Sequence, residues 1–189
     1  MTENEKRMAG ELYFNKDPDI KKDLEDSRLM CYLYNQINPN NYEEKRIILK
    51  KLLGQIEGSF YIEQPFRCDF GKNIFLGDNF YSNYNLTILD CNEVHIGKNC
   101  LIGPNVSIFT VGHPIDCIQR RQSLEYAYPV KIGNDVWIGG GVIINPGVII
   151  GDNVIIGSGS VVTKNIPDYA VAVGSPARVV KILTKGEII

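Results

Sequence analysis

Residues 130–163 read VKIGNDVWIGGGVIINPGVIIGDNVIIGSGSVVT. In this stretch an aliphatic residue, usually followed by glycine or another small or polar residue, returns every six positions. The ladder consists of Ile132, Ile138, Ile144, Ile150, Ile156 and Val162. A helix has a period of 3.6 and a hairpin alternates over two strands, so neither produces a strict six. A short strand with a tight turn does, and such units predict a stacked repeat fold.

The same register extends toward the N-terminus, where Leu76-Gly77 opens it and Ile96, Ile102 and Ile108 continue it. A second inward position follows four residues after most ladder residues, at Cys100, Val106, Val136, Val142, Val148, Val154 and Ser160. Three units make one triangular coil of eighteen residues, which predicts that Ile132 stacks on Ile150, Ile138 on Ile156 and Ile144 on Val162. The sequence thus predicts a mainly β fold, a parallel β-helix of hexapeptide repeats, and leaves its handedness open.

Two interruptions break the register. Ile88 and Ile96 are eight residues apart, which indicates a small corner insertion at Asn92 and Glu93. Ile108 and Ile132 are 24 residues apart, enough for a further coil, but that register would put Arg120 inside the apolar prism at the cost of a buried charge. We therefore predict one long excursion loop at about 111–129. Long loops on a rigid scaffold are frequent sites of function.

Residues 1–56 lack the repeat and have helical signals instead. Asp17 before Pro18 is typical of a helix start and predicts a helix over 18–37, while Asn41 with Glu44 resembles a capping box and predicts a second helix over 42–53. Two short helices bury too little apolar surface to stand alone. We expect an N-terminal helical cap or arm over 1–56, packed on a β-helix over 57–189 as one structural unit.

Composition narrows the class of protein. The chain has 189 residues, a formal net charge of -2 and a pI of about 5.7, which gives no general reason to bind nucleic acid. No apolar run is long enough for a membrane span and no signal-peptide core is present, so we expect a cytoplasmic protein without a membrane partner. Five cysteines without a CxxC pair predict reduced thiols rather than disulfides or structural zinc. They are Cys31, Cys68, Cys91, Cys100 and Cys117.

The chain has two histidines in different settings. His95 lies beside the ladder residue Ile96, so its side chain should point outward in a surface role. His113 lies at the start of the excursion loop, in VGHP, and is the candidate for chemistry. A β-helical carbonic anhydrase would need three His ligands for zinc, and the chain has two histidines, so we predict no metal. No GxSxG motif is present to indicate a serine nucleophile.

Eight motifs spread over nearly the whole chain resemble those of one protein family. They are MAGELY at 8–13, FRCDFG at 66–71, NIFLGDNFYSN at 73–83, LTILD at 86–90, GHPI at 112–115, VWIGGGVIINPGVIIGDN at 136–153, SVVTK at 160–164 and GSPARVV at 174–180. The sequence resembles the maltose and galactoside O-acetyltransferases, which belong with the nodulation acetyltransferases to the hexapeptide acyltransferase superfamily. The resemblance implies a left-handed β-helix, a homotrimer with active sites between subunits, and direct transfer of acetyl from acetyl-CoA to a sugar hydroxyl.

The resemblance also implies roles for residues. His113 matches the general base, and the acceptor pocket is matched by Asp69, Tyr81, Asn83 and the Asp90 region. Asn83 is also assigned to catalysis and to the CoA site. The CoA groove is matched by Trp137, Gly140, Ser158, Thr163, Lys164, Arg178 and Lys181. The chain departs from relatives at Cys91, where galactoside enzymes have a second acid, and at Asn15 or Asp17, where an N-terminal arm contacts the sugar.

These assignments make chemical sense. A sugar hydroxyl needs a base such as His113 to take its proton, and the backbone N–H of Gly140 is a candidate donor to the oxyanion. Lys164, Arg178 and Lys181 supply positive charge for the CoA phosphates. Either the carboxylate of Glu125 or a backbone carbonyl is expected to orient the imidazole. The alternatives are an acetyltransferase for another small acceptor, such as an antibiotic or amino acid, and a non-catalytic β-solenoid scaffold.

Overall fold

The computed structural model describes residues 1–184. Its helices are α1 (Glu3–Ala9), α2 (Pro18–Gln36), α3 (Tyr42–Leu52) and α4 (Cys117–Arg121). Its strands are β1 (Tyr13–Phe14), β2 (Gln55–Ile56), β3 (Phe60–Ile62), β4 (Phe66–Cys68), β5 (Ile74–Leu76), β6 (Phe80–Ser82), β7 (Leu86–Leu89), β8 (Val94–Ile96), β9 (Leu101–Ile102), β10 (Ser107–Phe109), β11 (Val111–Gly112), β12 (Leu124–Ala127), β13 (Val130–Ile132), β14 (Trp137–Ile138), β15 (Ile143–Ile144), β16 (Ile149–Ile150), β17 (Ile155–Ile156), β18 (Val161–Val162), β19 (Ala170–Val173) and β20 (Arg178–Ile182). None of the helices in residues 1–184 has the length and apolarity to cross a membrane.

Three sheets form the sides of a prism. Face 1 contains β2, β5, β8, β13 and β16, and face 3 contains β4, β7, β10, β15 and β18. Face 2 contains β3, β6, β9, β14, β17, β19 and β20. Neighbouring strands on each face are parallel, except that β20 runs antiparallel to β19. Apart from β11, β12 and the β19–β20 pair, consecutive strands from β2 onward lie on different faces, as in a parallel β-helix.

The predicted coil stacking is confirmed. Ile132 pairs with Ile150, Ile138 with Ile156 and Ile144 with Val162, each on a different face. These residues and the second inward positions are buried in one continuous core. Ser160 is the polar member of that set, and its hydroxyl is satisfied because it donates to Gly157 O at 2.6 Å and accepts from Gly174 N at 3.0 Å.

Every insertion into the repeat lies at one corner, between face 3 and face 1, which we call the insertion corner. The other two corners keep a strict step of six residues, as from Leu76 to Ser82 to Ile88. The step across the insertion corner is eight residues from Cys68 to Leu76, eight again from Ile88, and 24 from Ile108. The core ladders are undisturbed, because each insertion is accommodated outside the prism.

The longest insertion is the predicted excursion loop. Strands β11 and β12 form an antiparallel pair, and β12 pairs in turn with β1 from the N-terminal segment. Arg120 lies outside the prism, where its guanidinium donates to Pro114 O and Ile115 O at 2.8 Å each. Asn92, expected only as part of a corner insertion, is buried and its amide donates to Ala127 O at 2.9 Å and Arg7 O at 3.2 Å. Asn92 thus joins the loop and α1 to the prism.

The N-terminal helices agree with their predicted starts and end one residue early. The carboxylate of Asp17 accepts from Asp19 N and Ile20 N, and Asn41 accepts from Glu44 N at 3.3 Å. Helix α1, which we did not predict, begins with a capping box between Thr2 and Glu5. Helices α2 and α3 pack on the first coil.

That first coil begins earlier than the repeat predicted. Strand β2 starts at Gln55, whereas the repeat in the sequence predicts that the register opens at Leu76-Gly77. Ile56, Ile62 and Cys68 continue the ladder at a step of six, but acidic residues follow all three in place of glycine. The first coil therefore keeps the ladder residue of each repeat but lacks the glycine that usually follows it. The division of the chain at residue 56 stays a prediction.

Candidate active site

The excursion loop holds His113 directly after β11. Its imidazole is 57 % exposed and lies beside the insertion corner. The turn after it is fixed by the Arg120 guanidinium and by Asp116, whose carboxylate accepts from Ile118 N and Gln119 N at the start of α4. Gly112 leaves room for the Tyr126 side chain, since a Cβ there would lie 2.4 Å from the Tyr126 hydroxyl. The loop is therefore an ordered antiparallel hairpin rather than an irregular segment.

Glu125 lies on β12, and the antiparallel pairing of β12 with β1 puts it opposite Tyr13. One carboxylate oxygen, Oε2, accepts from the Tyr13 hydroxyl at 2.7 Å, and the other, Oε1, accepts from Asn15 Nδ2 at 2.5 Å. Oε1 also lies 3.9 Å from Nδ1 of His113. That distance is too long for a hydrogen bond but short enough for an ion pair once the imidazole is protonated. The carboxylate is only 15 % exposed, so water screens it weakly.

These groups border a cavity of about 530 Å³, which we call the His113 cavity. It brings together five of the residues predicted from the sequence: Asn15, Asp69, Cys91, His113 and Glu125. They come from the N-terminal arm and from all three insertions at the insertion corner. The site is therefore assembled from the parts of the chain that depart from the strict repeat.

Helix α2 forms one wall of the His113 cavity, and sequence reasoning missed it. Lys21, Glu25 and Arg28 line the cavity together with Leu24. Their spacing of three and four residues puts them on one face of the helix. That spacing was visible in the sequence, but nothing there indicated which face would meet the loop. Tyr13 and Phe70 are further wall residues that were not predicted.

Asp69 and Cys91 form a hydrogen-bonded pair in the cavity wall. The Cys91 thiol donates to Asp69 Oδ2 at 3.4 Å. Burial raises the pKa of Asp69, and the hydrogen bond from Cys91 opposes that shift. Burial also raises the pKa of Cys91, so this thiol is protonated at neutral pH and acts as a donor rather than a nucleophile.

Asp90 does not line the His113 cavity. It is fully buried behind it, and its Oδ1 accepts from Asp69 N at 3.0 Å and Phe70 N at 2.9 Å. Burial raises the pKa of Asp90 to about 6. Through these bonds Asp90 holds the backbone that presents Asp69, and a direct contact of Asp90 with the acceptor stays a prediction. Asp17 likewise does not border the cavity, because its carboxylate caps α2.

Tyr81, Asn83 and Trp137 lie on face 2 or at its end, away from the insertion corner. Tyr81 stacks on Tyr61 with ring centroids 6.2 Å apart, and Asn83 Oδ1 accepts from Tyr84 N at 2.7 Å. Trp137 pairs in register between Leu101 and Ile155 and is 49 % exposed. A single chain therefore does not bring these residues to His113.

Gly140 lies at the corner that follows Trp137. Within residues 1–184, the N–H groups of Gly139 and Gly141 donate to Ile156 O and Pro104 O, whereas that of Gly140 has no such acceptor. Gly139 is required by coil stacking, since a Cβ there would meet Ser158 N at 2.6 Å, and Gly141 has a φ of +70°. Two of the three glycines are thus explained by backbone geometry. Gly140 leaves an N–H free to bind a ligand.

The remaining predicted CoA residues lie toward the C-terminal end of the prism. Ser158 lies on the same edge as Gly140, one coil further on, while Thr163 and Lys164 follow β18 at the insertion corner. Arg178 and Lys181 lie on the exposed strand β20, and the Arg178 guanidinium donates to Ala177 O at 2.8 Å. The predicted groove residues therefore occupy two different edges of one prism.

The second histidine is on face 1. His95 stacks on Phe75 with centroids 4.5 Å apart, and its Nε2 lies 2.8 Å from Glu93 Oε2. Its side chain points outward, as expected from its neighbour Ile96. In the part of the chain that the structure describes, no group of three or more His, Cys, Asp or Glu side chains is arranged to hold a metal ion.

Comparison with known proteins identifies the family. The family model for the maltose acetyltransferase hexapeptide capping motif matches residues 6–58, and that for the bacterial transferase hexapeptide (six repeats) matches residues 129–164. The galactoside O-acetyltransferase of Escherichia coli K12 is 40% identical over 181 residues, which cover 96% of this chain and 89% of that protein.

Two solved structures extend the match. A maltose O-acetyltransferase from Clostridium difficile 630 has 47% sequence identity and a TM-score of 0.96, covering 98% of this chain and 99% of its own. A galactoside acetyltransferase in complex with coenzyme A has 39% identity and a TM-score of 0.95, covering 97% and 92%. The chain therefore belongs to the maltose and galactoside O-acetyltransferase family, as a left-handed parallel β-helix of hexapeptide repeats and an acetyltransferase.

Proposed function

We propose that this acetyltransferase moves the acetyl group of acetyl-CoA directly to a hydroxyl of a sugar such as maltose, glucose or a galactoside, with His113 as general base. The observation that carries the proposal is the position of His113 at a polar cavity with Nδ1 toward Glu125. In the proposed arrangement Nδ1 carries the proton on the side of Glu125, and Nε2 presents the lone pair that a base requires.

The wall of the His113 cavity fits a polyhydroxylated acceptor. Asn15, Asp69 and Arg28 offer donors and acceptors in several directions, which suits the hydroxyl groups of a sugar. Phe70 and Leu24 add apolar surface, which suits the C–H face of a sugar ring. A purely apolar acceptor would leave the charged wall groups without partners, at a cost in binding free energy.

In the proposed reaction the sugar oxygen attacks the thioester carbonyl carbon while Nε2 of His113 removes its proton. The carbonyl oxygen becomes an oxyanion, for which the free N–H of Gly140 is a donor. The C–S bond then breaks, and the thiolate of CoA takes the proton from the imidazolium. Glu125 stabilises the imidazolium while it exists, since its carboxylate is close and poorly screened.

The reaction requires more than one chain, and we infer a homotrimer. Gly140 and Trp137 lie away from the insertion corner that carries His113, so a neighbouring subunit has to supply them. Face 2 offers a suitable surface, because outward residues in register form an apolar column. The column consists of Tyr61, Tyr81, Leu101, Trp137 and Ile155.

The nucleotide end of acetyl-CoA is proposed to lie near the last coils, where Lys164, Arg178 and Lys181 supply cations for its phosphates. Asn83, Ser158 and Thr163 would provide polar contacts along the same groove. The coenzyme A complex of a 39% identical relative supports the cofactor assignment.

The test is a thiol-release assay with acetyl-CoA across mono- and disaccharides, aminosugars, phenicol antibiotics and amino acids. Acetylated product is identified by mass spectrometry, with thiol release in the absence of acceptor as the blank. Turnover with a neutral sugar well above that with the other classes would support the proposal. Turnover confined to an antibiotic or amino acid would identify a different acceptor, and no turnover with any acceptor would favour a scaffold.

A further inference from the structure

Two cysteines far apart in the chain face each other between α2 and β4. The Sγ atoms of Cys31 and Cys68 are 3.6 Å apart, although the residues are separated by 37 positions. The Ser27 hydroxyl lies 3.6 Å from Cys68 Sγ. Among the five cysteines, all of which are within residues 1–184, this is the sole thiol pair in contact. The arrangement is a buried dithiol, and nothing in the proposed acetyl transfer uses it.

Small solutes have access to this pair. Both cysteines border a cavity of about 330 Å³, distinct from the His113 cavity, whose rim includes the exposed residues Tyr32, Gln36 and Arg67. The cysteines themselves are 5 % and 7 % exposed. A molecule the size of hydrogen peroxide fits such an opening, whereas a protein oxidant does not reach the sulfur atoms.

The two thiols are chemically unequal. The hydrogen bond from Cys68 lowers the pKa of Cys31, with a smaller contribution from Ser27. The same hydrogen bond and burial raise the pKa of Cys68. We therefore assign Cys31 as the attacking thiolate and Cys68 as the thiol that resolves the product in the oxidation described next.

We propose that hydrogen peroxide oxidises Cys31 and Cys68 to an intramolecular disulfide that joins helix α2 to strand β4. The thiolate sulfur of Cys31 attacks one peroxide oxygen, the O–O bond breaks, and a sulfenic acid forms on Cys31. The displaced hydroxide takes a proton from solvent, in place of the proton that Cys31 released, and leaves as water. Cys68 then attacks that sulfur, the S–O bond breaks, and the oxygen leaves with the Cys68 proton as a second water. Two thiols lose two electrons and hydrogen peroxide gains them.

The geometry permits the bond with a small movement. A disulfide has an S–S length of about 2.05 Å, so the sulfur atoms have to approach by about 1.5 Å. Rotation of the two cysteine side chains shortens that distance. Helix α2 and β4 are held together beside the thiols, because Asn35 Nδ2 donates to Phe66 O and Asn35 Oδ1 accepts from Phe66 N at 2.9 Å each.

The disulfide would affect the His113 cavity through two of its walls, helix α2 and the segment after β4. The effect on acceptor binding rests on the proposed function. Helix α2 carries Lys21, Glu25 and Arg28 on the cavity wall, and Asp69 directly follows Cys68. Arg28 and Asp69 line both cavities. Oxidation should therefore alter acceptor binding and leave the acetyl-CoA groove unchanged.

The chemical test uses the full chain with Cys117→Ser, which removes the exposed thiol that could link two molecules. Reduced protein is treated with hydrogen peroxide, quenched, alkylated in denaturant and mapped as peptides without reduction. We expect linked peptides containing Cys31 and Cys68 in most molecules, a mass loss of two hydrogen atoms, and reversal by dithiothreitol. Cys31→Ser, Cys31→Ala and Cys68→Ser should each abolish the link, whereas Cys100→Ser, at an equally buried thiol, should not. Full alkylation of both cysteines after peroxide, or sulfinic acid on Cys31 without a link, would overturn the proposal.

The functional readout is separate. The oxidised protein should show an acceptor KM raised roughly tenfold with an unchanged acetyl-CoA KM, since small misplacements of binding groups have effects of this order. A complete link with an unchanged acceptor KM would overturn the coupling to the His113 cavity. Absence of sugar acetylation in the reduced protein would instead contradict the proposed function, while the peptide map still reports on the disulfide.

Discussion

Nδ1 of His113 lies 3.9 Å from Oε1 of Glu125, and the same carboxylate holds the side chains of Tyr13 and Asn15. The N-terminal arm and the excursion loop are thus joined at the acid that faces the imidazole. The orientation of His113 by this carboxylate rather than by a backbone carbonyl stays a prediction. The pairing is open to a direct kinetic test.

Replacing Glu125 by Gln should lower kcat, because the imidazolium formed during the reaction loses a nearby negative charge. In a His113→Ala background the same change should have almost no further effect, as for residues that act as a unit. Tyr13→Phe, which removes one hydrogen bond to the carboxylate but not its charge, serves as the control. Additive losses in the double variant would reject the pairing.

His113→Ala should lower turnover by roughly 10²- to 10⁴-fold, the usual contribution of a positioned general base, while acetyl-CoA affinity and the oligomeric state stay unchanged. His95→Ala is the matched control, since His95 is outside the His113 cavity on face 1. Binding is measured by calorimetry and assembly by light scattering. Loss of assembly in His113→Ala alone would indicate a structural histidine.

Arg28→Ala should raise the acceptor KM by roughly tenfold and leave the acetyl-CoA KM within about twofold of wild type, because Arg28 borders the His113 cavity. Lys50→Ala, on the exposed side of α3, removes a cation of the same sign without touching the cavity. Steady-state kinetics with each substrate varied in turn separates the two constants. Equal increases in both would show that Arg28 acts on the fold of the site as a whole.

Removing the cations at Lys164 and Arg178 should raise the acetyl-CoA KM more than it lowers kcat, since phosphates remote from the thioester are bound alike in ground and transition states. The difference from wild type should shrink at high salt, which screens exposed charges. Lys131→Ala on face 1 is the control. An unchanged KM in both variants would mean that the nucleotide binds elsewhere.

Asp90 should make stability depend on pH. Its pKa is raised from 3.8 unfolded to about 6 in the folded protein, so the folded state binds more protons between these values. The corresponding stabilisation is complete below about pH 4 and is lost as the pH rises through about 6. Asp90→Asn keeps an oxygen for Asp69 N and Phe70 N but does not titrate. The unfolding free energy of wild type relative to this variant should therefore fall by on the order of 2 kcal/mol from pH 4 to 7. Urea denaturation at each pH measures this difference. A constant difference would contradict the assignment.

The fold was largely readable from sequence because its determinant is local and periodic. The steps from Ile132 to Ile138 to Ile144 need only a six-residue count, and Arg120 at a would-be ladder position excluded an extra coil. Helix α1 escaped prediction because seven residues carry too little pattern, and its burial depends on Arg7 reaching Phe70 and the Cys91 carbonyl, 84 positions away. Such contacts have no local signature.

Most residues of the candidate site were predicted from the family motifs, and Glu125 was predicted from its place in the loop. Its contacts with Tyr13 and Asn15, however, depend on strand β1 adding to the loop hairpin. Asp90 and Cys91 are adjacent in sequence and differ in role, since one is buried behind the cavity and the other borders it. Distinguishing them requires the three-dimensional path of the insertion corner.

Confinement of every insertion to one corner has a consequence for how such a protein can change. Two edges keep a fixed count of residues per strand, so any alteration in length there would shift the register of the whole core. The third edge has already accepted inserts of very different size without loss of register. New acceptor preferences can therefore arise by lengthening, shortening or exchanging those segments alone, and a designer could graft the three inserts of a relative onto this prism as a single cassette.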